Sequence, residues 1–469
     1  MAIKLTDFRI ESDSLGDIKI DSKRYWGVQT QRSIQNFPFE SAANIRFPNE
    51  FIRALAIVKL SCTEINKELG LIPPEIADTI IKAAQEVIDG KFNDNFPLVI
   101  WQTGSGTQTN MNANEVIANR AIELVGGKIG TKTPIHPNDH VNRSQSSNDV
   151  IPTAMHISAV ERIHNHLLPS LRHLLQALKE KQMEFSHIVK PGRTHLMDAT
   201  PVTLGQEFSA YATQVANGIT RIENSLPHLY ELALGGTAVG TGLNSHPKFA
   251  DRVAKRIAQY TNYPFKSGKN KFEGLAAHDA IVESSGALKV IAVSLMKIAN
   301  DIRWLGSGPR NGIGELILPT NEPGSSIMPG KVNPTQAESV TQVVAQVLGN
   351  DVTISFAGSQ GNFELNVFKP VMIYNLLQSI HLIADVSKNF TDKCIKGLEA
   401  NEVKINENLE NNLMLVTRLT PVVGYETAAE IAKEALDTGK TLKEIIIEKG
   451  LLKEHEIDEV LDPAKMISP

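Results

Sequence analysis

Residues 150–185 read VIPTAMHISAVERIHNHLLPSLRHLLQALKEKQMEF, and their apolar positions decide the fold. Met155, Ala159, Ile163, Leu167, Leu171, Leu174 and Leu178 recur at three- and four-residue steps, the period of one helix face. Pro169 falls inside the run and predicts a kink. Four further long helical patterns run from about Leu204 to Leu234, Gly274 to Leu305, Gln336 to Phe356 and Val367 to Leu398. About 30 residues at a rise of about 1.5 Å make a rod of roughly 45 Å, longer than most globular helices. Five such rods imply a mainly α fold built on a helix bundle. Their apolar stripes are too broad for one neighbour each, which predicts that bundles from several copies pack into a symmetric oligomer.

The flanks differ from the bundle. Residues 1–144 are mixed, with a strand-like piece near Asp17 to Ile20 and helical pieces at Phe51 to Leu69 and Pro74 to Ile88. The long rods occupy 145–401. Beyond them the periods shorten, near Glu426 to Leu436, Thr441 to Lys449 and Glu454 to Leu461, so 402–469 reads as a small C-terminal helical domain.

Bulk composition removes several classes of function. The 469 residues are 42% hydrophobic, enough for substantial cores, and their net charge of −5 provides no basic footprint for nucleic acid or an anionic membrane. The apolar run Val290 to Met296 is broken by Ser294 and closed by Lys297, far short of the roughly 20 residues a membrane span needs. MAIKLTDFRIESDSLGD at the start has early acidic residues and neither a signal core nor an amphipathic presequence, so a cytoplasmic location is expected. Cys62 and Cys394 stand alone, without the spacing of a disulfide framework, a zinc site or an iron–sulfur site.

Between the rods lie segments rich in hydroxyls and amides. WQTGSGTQTNMNANEVIAN, from Trp101 to Asn119, is a glycine-containing loop followed by a helix-like segment. IHPNDHVNRSQSSNDV, from Ile135 to Val150, ends where the first rod begins. GRTHLMDATP at Gly192 to Pro201 and GGTAVGTGLN at Gly235 to Asn244 also read as loops. The densest segment is LPTNEPGSSIMPGKVNPTQA, from Leu318 to Ala337, where Gly324, Pro329, Gly330 and Pro334 exclude regular structure. Asn333 reads as a helix N-cap, Pro334 as the first helical residue and Gln336 as the returning side chain of a capping box. Ser325, Ser326, Lys331 and Asn333 beside a helix N-terminus suit a carboxylate or phosphate. Spacing argues against a nucleotide: five residues rather than four separate Gly324 from Gly330, and Val332 stands where a P-loop carries its Mg²⁺-binding hydroxyl. Taken alone, the stretch also fits a surface loop with ordinary capping.

Five motifs together resemble the class II fumarate hydratases, the iron-independent fumarases of the aspartase/fumarase superfamily. They are SGTQTNMNANEV from Ser105, HPNDHVNRSQSSND from His136, GRTHLMDATPVTLGQEF from Gly192, GSSIMPGKVNP from Gly324 and NFELNVFKPV from Asn362. The resemblance covers essentially the whole chain. It implies three domains, the middle one a bundle of five long helices per subunit, and a homotetramer with a twenty-helix core. It also implies active sites drawn from three subunits each, no metal or other cofactor, and the reversible hydration of fumarate to L-malate.

That reaction removes a C3 proton beside a carboxylate while the C2 hydroxyl leaves. The carbanion spreads into the carboxylate as an aci-carboxylate, so fixed donors at those oxygens supply most of the stabilisation. Lys331 and Asn333 suit that task. By the resemblance, Ser325 is the catalytic base, its alkoxide stabilised by loop N–H groups and by Lys331. His195, paired with Glu338, is implied to activate the water and protonate the leaving hydroxyl. Ser105, Thr107, Ser147 and Asn148 look like substrate ligands, with Ser146, Thr194 and Ser326 alongside. Glu338 has a second reading as an acid complementing a helix dipole, and Ser146 and Ser147 as caps. His136, Asn138 and Asp139 match the family's second dicarboxylate site, or else fix their loop; Thr133 and Pro134 stand where basic residues often precede that site.

Aspartate ammonia-lyase is the nearest rival. It usually carries Gln, Ala and Glu where this chain has His195, Gly330 and Lys369. Argininosuccinate and adenylosuccinate lyases match more loosely. A non-catalytic scaffold on the same fold would be expected to lose Ser325, His195 or Lys331, and all three are present.

Overall fold

The computed structural model describes residues 7–468, and it is mainly helical. Its chain gathers into two compact units. One takes the chain up to Pro169 together with Thr220–Val290 and Ala345–Ile383; the other takes Ser170–Ile219, Ile291–Val344 and the chain from Ala384 onward.

All five rods are present, with ends set by local chemistry. The first comprises helix Ser147–Arg162, a π-helical turn Ile163–Leu167 and helix Leu168–Glu184. Pro169 lacks the N–H that would close an ordinary turn, and the expected kink takes the form of this wider turn just ahead of it. The second rod, Leu204–Leu229, stops short of Leu234 because Glu231–Leu232 leave the helix to pair in parallel with Lys266–Ser267. The third begins at Asp279 and ends at Leu305. A separate helix, Lys271–Ala276, precedes it, started by Asn270, whose side chain accepts from the N–H groups of Phe272 and Glu273. The last two rods are Thr335–Gly358 and Lys369–Lys393.

The first unit opens with an antiparallel hairpin, Phe8–Asp13 against Gly16–Asp21, followed by helices Val28–Asn36, Asn49–Glu68, Pro74–Ile88 and Thr107–Leu124. Glu115 on the last of these is buried, and its carboxylate accepts from the N–H groups of Gly27, Gln29 and Thr30 at 2.9, 2.8 and 3.1 Å and from the Thr30 hydroxyl at 2.6 Å. One side chain thereby satisfies donors that the start of helix Val28–Asn36 leaves unpaired. A Cβ on Gly27 would lie 2.8 Å from the Glu115 carboxyl carbon, so a side chain there would force the carboxylate to shift away from its donors.

In the second unit the segment expected as a loop at 192–201 is a β-hairpin, Val189–Thr194 against Met197–Thr203, with a bulge at Pro191 and Gly192. Leu316–Ile317 pairs with Glu399–Ala400. Near the C-terminus the helices Tyr425–Thr438, Leu442–Glu448 and Glu454–Val460 pack Ile431, Ile445, Ile446 and Ile457 into one apolar cluster with Leu415 and Leu419. Among the described residues no helix is long and apolar enough to cross a membrane.

Glu115→Ala removes a buried acceptor from four donors at once and should destabilise the protein by about 2–4 kcal/mol. Chemical denaturation of the purified variant measures this, and an unchanged midpoint would mean that water replaces the carboxylate.

Candidate functional site

The residues singled out above divide between the two units. In the first, Gly106 adopts φ +77° and starts helix Thr107–Leu124. Ser105 Oγ lies 2.8 Å from Thr107 Oγ1, which lies 2.8 Å from Ser147 Oγ, forming a chain of three hydroxyls whose proton order is free. Ser147 opens the first rod. Ser146 caps it: its hydroxyl accepts from the N–H of Asn148 at 3.2 Å, and Asp149 returns to the Ser146 N–H at 2.9 Å. Asn148 donates to the carbonyl of Ala238 at 2.7 Å. Two helix N-termini thus meet at one row of hydroxyls, a setting that favours an anion.

Two buried charges that sequence reasoning passed over hold this arrangement. Asp149 also accepts from the N–H groups of Gly235 and Thr237 at 2.9 and 2.8 Å. Burial pushes its pKa up to about 6, against the pull of those backbone bonds. Lys59 donates to Asn110, Asn142 and Gln145 at 2.7, 2.9 and 3.0 Å, and burial draws its pKa down to about 7. The S-x-x-D spacing of Ser146 and Asp149 was a legible capping signal. Nothing in the sequence around Lys59 marks it.

The loop before Ser105 leaves no space for a side chain at Gly104, where a Cβ would fall 1.3 Å from the Val367 carbonyl oxygen. Gly104 in turn accepts from the Lys369 N–H at 3.1 Å, which ties this loop to the start of the last rod.

His136 caps the turn Pro137–Val141: its Nδ1 accepts from the N–H groups of Asn138 and Asp139, both at 3.2 Å. That nitrogen therefore carries the lone pair, and the 3.3 Å approach of the Asp139 carboxylate is not an ion pair with a protonated Nδ1. The His136 N–H itself donates to His140 Nδ1 at 2.9 Å. Asn138 and Asp139 are exposed, and the Asn138 amide donates to Met111 Sδ at 3.8 Å.

The other candidates lie in the second unit. His195 and Leu196 form the two-residue turn of the 189–203 hairpin, with φ +58° and +61°, and Thr194 ends its first strand. All three are exposed. The base of the hairpin is held by Glu315, fully buried, which accepts from Arg193 at 2.6 and 3.1 Å and from Asn408 at 3.1 Å and lies 3.1 Å from the Lys190 ammonium. Lys190 also bonds Glu207 at 2.8 Å.

Ser325 Oγ accepts from the N–H groups of Ile327 and Met328 at 3.2 and 2.9 Å. The loop closes on itself through Gly324 N–H to the Lys331 carbonyl at 2.9 Å, with Gly330 at φ +79° and with Ser326 and Lys331 exposed. Asn333 does not cap the following helix as expected. Its amide donates to the Gly324 carbonyl, bracing the loop, and the helix starts at Thr335 with Glu338 N–H bonded to the Pro334 carbonyl at 3.0 Å. Among the described residues of one chain, no hydrogen bond or ion pair joins His195 to Glu338. Nor is any group of three or more His, Cys, Asp or Glu side chains placed to hold a metal ion.

Comparison with known proteins gives the family. Residues 16–349 match a family described as lyase, and 415–468 match the fumarase C C-terminus. The chain is 59% identical over 464 residues to a mitochondrial fumarate hydratase of Rhizopus oryzae, covering 99% of this chain and 94% of the relative. It is 58% identical over 465 residues to a class II fumarate hydratase of Rhizobium meliloti, covering 99% and 100%. The crystal structure of a class II fumarase from Schistosoma mansoni superposes with a TM-score of 0.95 at 44% identity, covering 98% and 99%. The fold and these matches together define a lyase of the aspartase/fumarase superfamily. Within it, the chain belongs to the class II fumarate hydratase family.

Gly104→Ala forces the Val367 carbonyl to move and should cost about 1–3 kcal/mol, the usual range for overpacking. A thermal midpoint equal to that of the parent protein would show that the loop shifts freely.

Proposed function

We propose that this protein catalyses the reversible hydration of fumarate to L-malate. The observation that carries the reading is the Ser325 loop. Two backbone N–H groups already point at Oγ, where negative charge resides when the serine acts as a base.

In the malate-to-fumarate direction the Ser325 alkoxide takes the C3 proton. The electron pair spreads into the adjacent carboxylate, where Lys331 and Asn333 donate. His195, held by Glu338, gives a proton to the C2 hydroxyl as the C–O bond breaks, and water leaves as the double bond forms. The other carboxylate rests on Ser105, Thr107, Ser147 and Asn148, with Ser146, Thr194 and Ser326 at the margin. The reading places His195 and Glu338 together across subunits of a homotetramer with a twenty-helix core. Outward-facing apolar residues on the rods support that assembly: Val293, Trp304, Val352 and Phe356 are 54, 52, 69 and 62% exposed, well above what a solvent-facing helix needs to leave bare. The reading retains domains at 1–144, 145–401 and 402–469, the last supported by the C-terminal apolar cluster. It also retains a cytoplasmic location and a second dicarboxylate site at His136, Asn138 and Asp139.

Fumarate absorbs in the ultraviolet and malate barely does, so the test is the rise in absorbance on adding malate after exhaustive chelation. Absence of turnover, or a requirement for added iron, overturns the reading. Ser325→Ala should lower turnover by at least about a hundredfold with the oligomer intact, since general-base steps are worth about 10²–10⁴. His195→Asn should cut turnover to a similar degree in the same assay. A loss confined to thermal stability would remove His195 from the chemistry.

A further inference from the structure

Among the described residues three lysines are fully buried, and two are fully engaged. Lys59 donates to three amide oxygens, and Lys190 bonds Glu207 and meets Glu315. Lys369 is different: its Nζ has no hydrogen-bond partner among the described residues. An interior ammonium with unfilled donors is costly to keep, so its placement calls for a reason.

Lys369 is the first residue of the 369–393 helix, and its N–H bonds the Gly104 carbonyl, next to Ser105. The absence of room at Gly104 shows how closely the two backbones meet. A third helix N-terminus is thereby fastened to the loop that begins the hydroxyl chain, beside those of Thr107–Leu124 and Ser147–Arg162. The opposite charge that acts on Lys369 is Asp149, whose oxygens are already occupied by the N–H groups of Ser146, Gly235 and Thr237. His278, buried and with its own Nε2 unpartnered, is the other titratable group that feels this lysine. Burial draws the Lys369 pKa down to about 7, so an arriving anion would favour its charged form.

We propose that Lys369 is a positioning residue for substrate: its interior charge, added to three helix N-termini, sets the affinity of the Ser105–Thr107–Ser147 row for a carboxylate. This rests on the hydratase reading above and deepens it, assigning to Lys369 control of dicarboxylate binding rather than of proton transfer.

The test compares full-length Lys369→Met and Lys369→Arg with the parent protein, using malate kinetics, calorimetric titration with succinate and thermal unfolding. Lys369→Met should raise KM for malate and Kd for succinate about tenfold, change kcat less than threefold, and unfold at the same or a higher temperature, because an unpaired interior charge has been removed. Lys369→Arg should restore most of the affinity. Unchanged KM and Kd in Lys369→Met overturn the proposal. So does a joint fall in kcat and thermal stability with the remaining affinity intact, which is the mark of a structural lysine. A parent protein that binds succinate yet turns over neither malate nor fumarate defeats the hydratase reading instead, and the succinate titration of the variants then still decides the role of Lys369.

Discussion

Asp149 lies buried under the start of the first rod, and its two oxygens accept N–H groups from Ser146, Gly235 and Thr237. The rest of the anion-favouring surface depends on that carboxylate. It fixes where the helix begins, and so where Ser147 stands relative to Thr107. It also draws the 235–238 segment in beside the helix, where the Ala238 carbonyl receives Asn148. Backbone N–H groups fill its hydrogen-bonding capacity, and the buried Lys59 ammonium acts on it through its charge alone, so none of the three hydroxyls in the row is spent on it.

Glu315 has the corresponding place in the second unit. Arg193, Lys190 and Asn408 converge on it from two segments, and the strand Leu316–Ile317 that follows leads toward the Ser325 loop. Segments without a regular hydrogen-bond ladder have little to hold their shape. A buried carboxylate with several fixed donors provides that constraint, and the proposed chemistry needs it, because misplacement by about 1 Å is worth orders of magnitude in rate. Breaking one partner of such a knot would leave the others desolvated and unpaired, so it acts as a unit.

Much of this was legible in the chain. Periodicity located the rods, since an amphipathic helix repeats its own geometry in its sequence. The motif residues picked out the hydroxyl row in the first unit and the Ser325 loop in the second. Where the reading missed, tertiary contacts had overridden a local signal. The segment at 192–201 looked like a loop because its turn, His195–Leu196, takes two positive φ angles without the Asn-Gly pair that usually announces such a turn. Asn333 looked like a cap, but its amide found a nearer partner in the Gly324 carbonyl. Gly104 and Lys369 stand far apart in the sequence, and no local rule connects them.

By itself, then, the sequence determined a mainly helical protein with long amphipathic rods, polar segments at their ends, and membership of a hydratase family carried by five motifs. Only the tertiary structure decided which charges are buried, that Asp149 braces segments of the first unit and Glu315 segments of the second, and that the Lys369 ammonium has no hydrogen-bond partner among the described residues. The physical reason is the range of the interactions involved. Helical period and capping act over a few residues and are written in the local string, whereas desolvation and the pairing of buried charges depend on what segments distant in sequence bring alongside.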